Sequence, residues 1–322
     1  MITVAVDHAS LARLRLTASP VQEVVAWMRL TVVGRRHPVY GDPGPAARRA
    51  LTHPDTALVA SVMPPSGSGY APDLLTPQPP PAPASRLLDE QLAAVAATPA
   101  DQVHEQVGVC AAMGRPLPAE TRAAVADGSF GRRAADGLRA FWQATLADGW
   151  AGLYGVLEAD LATRSATLAR GGAGALLGSL HRDLGWDGRR ISIGLPYDEE
   201  LALVDTDIVL APTALGWPGL SVQVCSPDDA VLGYPALGVG DWARQPVADG
   251  TIAELLGLTR ARLLGDLALP RTNAELSNRH DLAPATVSHH LGVLHRCGMV
   301  VRRRDGRTVL YQRSARGDDL VS

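Results

Sequence analysis

The sequence predicts a mostly α-helical protein with small β elements, an α+β fold in two domains. Three observations predict it. Alanine- and leucine-rich segments run from Arg86 to about Asp183 with apolar residues at helical spacing. Short β-like runs set off by Pro and Gly fill about 189–237. The stretch 251–322 reads as helix, helix, turn, helix and β-hairpin. The expected division is a helical domain over 1–245, with a small antiparallel sheet at about 189–237, and a second domain over 251–322.

Ile2-Thr3-Val4-Ala5-Val6 is a candidate short strand. Helices are expected over 8–16 and 20–33, the second with Pro20 in its first turn, where a missing N–H costs nothing. The breaker zone 64–83, ending in Pro79-Pro80-Pro81-Ala82-Pro83, is either a polyproline spacer or an ordered surface loop. Trp150, Tyr154, Leu157 and Leu161 fall on one face of a helix. The runs Arg190–Gly194, Leu201–Val204, Asp207–Leu210 and Leu220–Val224 supply the expected sheet. Pro246 to Gly250 is read as a hinge.

In the final stretch, Thr251-Ile252-Ala253-Glu254 has capping-box spacing and is expected to open a helix that Pro270 ends. A second capping box, Thr272-Asn273-Ala274-Glu275, opens a short helix to about Arg279. Asp281-Leu282-Ala283 then turns the chain. Pro284 starts a third helix that Gly298 caps in the left-handed conformation. Val287, Leu291 and Leu294 form its inner stripe, leaving Ala285, Thr286, Ser288, His289 and Arg296 facing out. Small and hydrogen-bonding groups at the start of a helix are what a DNA major groove admits. Strands over Met299–Arg304 and Thr308–Tyr311 are joined by Asp305-Gly306, a hairpin pair. Arg302, Arg303, Arg304 and Arg307 crowd that hairpin and match phosphates or a narrow minor groove.

Charge agrees with a polyanion partner. The 322 residues carry a net charge of −3. Residues 1–250 hold 19 Arg against 26 acids, a balance of −7, and residues 251–322 hold 11 Arg against 7 acids, a balance of +4. Every one of the 30 Lys+Arg residues is arginine. That excludes lysine Schiff-base chemistry and a Walker A phosphate loop. Gly-x-Ser-x-Gly and Gly-x-Gly-x-x-Gly are absent, so no catalytic residue is assigned and no enzyme is expected. Cys110, Cys225 and Cys297 stand far apart, and His289 and His290 are adjacent on a helix, so no metal or other cofactor is expected. No apolar run is long enough to span a membrane, and no signal peptide opens the chain, so a cytoplasmic protein is expected.

The pattern Thr286-Val287-Ser288-His289-His290-Leu291, Leu294, Cys297-Gly298-Met299-Val300, Arg303-Arg304, Gly306-Arg307 and Leu310-Tyr311 resembles the ArsR-type winged helix-turn-helix over roughly 255–315. The resemblance implies a third helix in the major groove, a wing on the adjacent backbone, and a homodimer on an inverted-repeat operator. Such proteins are typically repressors released by a small-molecule inducer. DNA contact is accordingly expected at Thr272, Asn273, Ala285, Thr286, Ser288, His289, His290, Arg296, Arg302, Arg303, Arg304, Arg307 and Tyr311. Upstream, Val21, Trp27, Tyr70 to Pro77, Phe141-Trp142, Leu184 to Asp187 and Tyr234 to Ala236 are similar to a large helical region found before ArsR-type domains in actinobacterial regulators.

Three departures from the family pattern stand out. No cysteine lies near 272–280, where metal-sensing relatives carry theirs. Ala283 replaces a frequent capping serine. No terminal dimerisation helix is expected after the wing. The dimer is therefore expected in the amino-terminal domain, which is also expected to bind the inducer at Trp27, Trp142, Trp150 and Tyr154. Two other readings stand beside this one. One is an enzyme in the amino-terminal domain with an autoregulatory DNA-binding tail. The other is a DNA-binding protein with no ligand.

Overall fold

The structure is a computed structural model that describes residues 1–65, 69–114, 116–194, 198–225, 229–239, 249–268, 270–305 and 308–321. It divides into two compact units, Met1–Trp242 and Ala243–Ser322. The hinge expected at Pro246 to Gly250 falls mostly outside the described residues, and Asp249 and Gly250 open a helix instead.

The first unit begins with β1 (Ile2–Val6), α1 (His8–Ala12), β2 (Arg15–Leu16) and α2 (Pro20–Val33). Then come α3 (Gly44–Ala50), α4 (Pro54–Ser61), a 3-10 turn (Asp73–Leu75), α5 (Ala84–Ala96), α6 (Ala100–Ala112) and α7 (Ala119–Ala126). The long helices α8 (Phe130–Thr145) and α9 (Trp150–Leu180) precede β3 (Leu184–Trp186), β4 (Arg190–Ile193), β5 (Glu199–Leu203), β6 (Ile208–Thr213), β7 (Ser221–Cys225) and β8 (Asp229–Pro235). The first expected helix is thus only α1. The chain then extends into β2, which pairs with Val209 and Leu210.

Local chemistry sets the helix ends. The Ser19 hydroxyl accepts from Gln22 N–H, Pro20 fills the first turn, and Gly34 closes α2 at φ 68°. In α8, Phe130, Ala134, Leu138 and Phe141 line one buried face. Gly137 lies on that face because a Cβ there would stand 2.3 Å from the Asp55 carbonyl oxygen. That close approach seats α4 against α8, and the Thr56 hydroxyl donates to the Gly137 carbonyl at 3.1 Å. Around this pair lies the main core, with Val24, Met28, Val59, Leu92, Val107, Leu153 and Leu157. Gly172, at φ 71°, breaks α9 into two arms, and Arg164 of the first donates to the Ser179 carbonyl of the second at 2.7 Å.

The expected single antiparallel sheet is corrected. Two four-stranded mixed sheets form, ordered β3-β4-β1-β5 and β2-β6-β8-β7. Strand β1 runs antiparallel to β4 but parallel to β5, and β6 runs parallel to both β2 and β8. Each sheet recruits a strand from the amino-terminal end of the chain. Pairing between such distant segments leaves no local trace in sequence. The sheets share a second core of Ile2, Val4, Ile191, Ile193, Ile208, Leu210 and Leu232 with Leu176, Leu177 and Leu180 of α9.

The described part of the Pro-rich segment is a surface loop held to the second sheet and to α5. Gln78 Nε2 donates to the carbonyls of Asp207 and Ala230, Arg15 donates to the Pro79 carbonyl, and Gln91 donates to the Pro77 carbonyl.

The second unit holds α10 (Asp249–Leu256), α11 (Leu258–Asp266), β9 (Arg271–Thr272), α12 (Asn273–His280), α13 (Pro284–Arg296), β10 (Val300–Asp305), β11 (Thr308–Arg313) and α14 (Ala315–Val321). Two expectations fail here. The single helix expected from Thr251 to Pro270 is two helices, broken at Gly257 with φ 81°. The first of them starts before Thr251, so no capping box opens it there. A helix also follows the wing after all. Seven residues of α14 bring Leu320 and Val321 onto the core of Leu263, Leu264, Leu276, Val287, Leu291 and Leu294. Gly317 hides this helix in the sequence because glycine is a poor helix former. It is needed there, since a Cβ would stand 2.2 Å from the Met299 carbonyl oxygen.

Candidate nucleic-acid interface

The interface is built on α12, α13 and the wing. Thr272 and Glu275 form the expected capping box. The Thr272 hydroxyl accepts from Glu275 N–H at 3.1 Å, and a Glu275 carboxylate oxygen accepts from Thr272 N–H at 2.7 Å. Those bonds hold Glu275 below the usual carboxyl range. Asn273 bridges two helices: its amide donates to the Pro284 carbonyl at 3.2 Å and its side-chain oxygen accepts from Ser277 at 3.1 Å. The structure thus gives the Thr272 and Asn273 side chains intramolecular partners. Asp281 at φ 51° turns the chain out of α12.

Pro284 occupies the first turn of α13, and Ala283 at the N-cap makes no side-chain bond. Val287, Leu291 and Leu294 are buried, while Ala285, Thr286, Ser288, His289 and Arg296 are exposed. His290 differs. It is half-buried, its Nδ1 is buried without a partner, and its ring stands near-perpendicular to His289 at 5.5 Å. Burial, then the charges of His289 and Arg260, holds its imidazole below the usual range. Gly298 at φ 72° ends the helix, and Met299 N–H returns to the Leu294 carbonyl at 2.9 Å.

The wing pairs antiparallel, with Arg302 opposite Tyr311, Arg303 opposite Leu310 and Arg304 opposite Val309. Alternation puts Arg302 and Arg304 on one face and Arg303 on the other. All three are exposed, so both faces of the ribbon present guanidinium groups. Arg307 lies outside the described residues. Tyr311 is half-buried against the core. Strand β9 joins the ribbon, with Leu310 opposite Thr272 and Tyr311 opposite Arg271, fixing the wing to the start of α12.

Sequence reasoning missed the anchor of this unit, Asp266 at the end of α11. It accepts from Arg279 Nε at 2.7 Å and sits 3.0 Å from His280 Nε2. Burial raises its carboxyl, but Arg279, Arg271 and His280 outweigh burial and hold it below the usual range. Glu23, a further missed residue, lies in the first unit. It is fully buried and accepts from Ala214 and Leu215 N–H at 2.9 and 2.7 Å, yet burial still pushes its carboxyl up to about 7.

Of the residues expected to hold an inducer, Trp27 is buried and Trp142, Trp150 and Tyr154 are half-buried, all in or against the main core. The Trp150 and Tyr154 rings lie 5.8 Å apart. None of the four lines the cleft of about 350 Å³ beside Gln106. Among the described residues no set of three His, Cys, Asp or Glu converges on a metal site, and no helix is long and apolar enough to cross a membrane.

Comparison of the chain with curated proteins and with solved structures finds no match. Comparison with family models does: residues 259–301, from α11 into the wing, match the bacterial regulatory protein family arsR. The carboxy-terminal unit, with its buried α13 stripe, exposed groove-sized residues and arginine-bearing wing, is therefore an ArsR-family helix-turn-helix DNA-binding domain, and the chain that carries it is a DNA-binding transcriptional regulator.

Proposed function

We propose that the chain is a cytoplasmic homodimeric repressor that binds an inverted-repeat operator and leaves it when residues 1–242 bind a small molecule. The observation that carries DNA contact is the exposed set Ala285, Thr286, Ser288 and His289 beside Arg302, Arg303 and Arg304. On this reading α13 reads base edges, the wing holds phosphates, and the large unit binds a ligand without transforming it. His290 supports α13 from within instead of reading a base.

Two recognition helices must be presented one DNA turn apart. Helix α14 packs Leu320 and Val321 on the core of its own unit, so it is not the dimer contact. Leu255, 70% exposed, and Leu258, 51% exposed, flank the Gly257 break and offer an apolar surface on the DNA-binding unit itself. We therefore assign the dimer contact to α10 and the start of α11. A ligand then acts only through its difference in affinity for the DNA-bound and released forms.

The test is selection from a random DNA pool by the full chain, followed by sedimentation of the complex. The expected result is an inverted repeat bound by two chains. A single chain on an asymmetric site contradicts the reading.

A further inference from the structure

We infer that the cleft between the Pro-rich loop and the α5–α6 corner is a binding site for a neutral, carbonyl-bearing small molecule. The inference deepens, and rests on, the reading of residues 1–242 as the sensory part.

The cleft measures about 350 Å³, within the range of small-molecule sites. Leu74 and Pro77 of the loop form one wall, and Ala94 and Ala97 of α5 form another. Gln106 of α6 and Gln223 of β7 supply amides. The wall thus sets apolar faces beside polar groups, with Asp73, Thr98 and Gln102 also on it.

Gln106 decides the chemistry. It is 8% exposed, and its side-chain oxygen accepts from Leu74 N–H at 2.7 Å. That bond fixes the orientation of the amide, because a backbone N–H requires an oxygen facing it. The Nε2 group must therefore be the other end. Among the described residues it has no partner. A fixed donor on the cleft wall, bonded to no described residue, is one that a ligand oxygen can satisfy in place of water.

The surroundings narrow the ligand further. Gln223 Oε1 accepts from the Thr76 hydroxyl at 3.0 Å, so that amide braces the loop. In the first turn of α6, whose Pro99 and Gln102 lie on the cleft, the Asp101 carboxylate accepts from Gln102 N–H at 3.0 Å and adds negative charge. The nearby Asp73 carboxylate disfavours a full negative charge. A ketone, lactone or amide on a flat apolar body fits all three conditions.

The test titrates the full chain with 6-propionyl-2-(dimethylamino)naphthalene, a neutral ketone dye whose emission reports an apolar, hydrogen-bonding site. Saturable binding of one dye per chain is expected. Gln106→Glu keeps an acceptor for Leu74 N–H and replaces the unpartnered donor with an acceptor. It should weaken binding about tenfold or more. Ala97→Trp fills the cleft from an exposed position, so the fold is retained while binding is abolished. Ala94→Phe, also exposed, repeats that test independently. Absence of saturable binding, or equal binding by wild type and the variants, overturns the site. DNA affinity measured at dye saturation separates the two claims. A fall supports both the site and the sensory reading. Mutation-sensitive binding with unchanged DNA affinity supports the site and overturns the sensory reading.

Discussion

Arg279 grips Asp266 with two bonds, Nε at 2.7 Å and a terminal nitrogen at 3.1 Å, and so ties the end of α11 to the end of α12. A bidentate pair fixes angle as well as distance. The two helices carry the buried leucines on which α13 rests, so this pair sets the platform beneath the recognition helix.

Asp266→Ala should therefore destabilise the DNA-binding unit by about 1–3 kcal/mol, the cost of leaving partly buried partners unmatched. Because the Asp266 carboxyl is depressed in the folded protein, its contribution is present above the ordinary carboxyl range and is lost as pH falls through the depressed value. Urea unfolding at pH 7 and at acid pH checks both points. A loss as large at acid pH as at pH 7 would show that charge is not the cause.

Glu23 carries the opposite sign. Its folded carboxyl is raised to about 7 from 4.5. The protonated form is the one the fold prefers, so the contribution is full below pH 4.5 and fades as pH rises through 7. The shift corresponds to about 3 kcal/mol at most. The first unit should thus be less stable at about pH 8 than at about pH 5, and Glu23→Gln should flatten that slope. Thermal melts across this window provide the measurement, and an unchanged slope in the variant would assign the dependence to another group.

Leu255→Glu with Leu258→Glu should convert the dimer to a monomer that keeps its helical content, because both side chains are exposed in the single chain. Sedimentation of the full chain reads the outcome. A variant that stays dimeric moves the dimer contact elsewhere.

The local features of the fold are legible in the sequence, and the non-local ones are not. Ser19-Pro20, Thr272 with Glu275, Pro284 and Gly298 each mark a helix end with chemistry held within four residues. Strand β1 can be suspected from Ile2 to Val6, but its partners lie near residues 190 and 200, and nothing local names them. Gly257 gives no clear signal of a break, because a lone glycine does not by itself end a helix. The recognition stripe is visible because Val287, Leu291 and Leu294 follow helical spacing. Asp266 escapes a sequence reading because its partners come from α12 and β9. The cleft escapes it for the same reason, since its walls come from segments scattered between Asp73 and Gln223.

The central claim is that α13 and the wing together hold DNA, and salt dependence tests it most directly. The full chain and the variant Arg303→Ala with Arg304→Ala should be compared for affinity to the selected DNA over a series of salt concentrations. Removing one arginine from a phosphate lowers the slope of log affinity against log salt by about 0.9, so the double variant should have a slope lower by about 1.8 and bind all sequences more weakly. Ser288→Ala or His289→Ala should leave that slope unchanged and shift sequence preference by about 1–3 kcal/mol for each base edge no longer read. A wing variant that binds as tightly as the unaltered chain at every salt concentration would contradict the account.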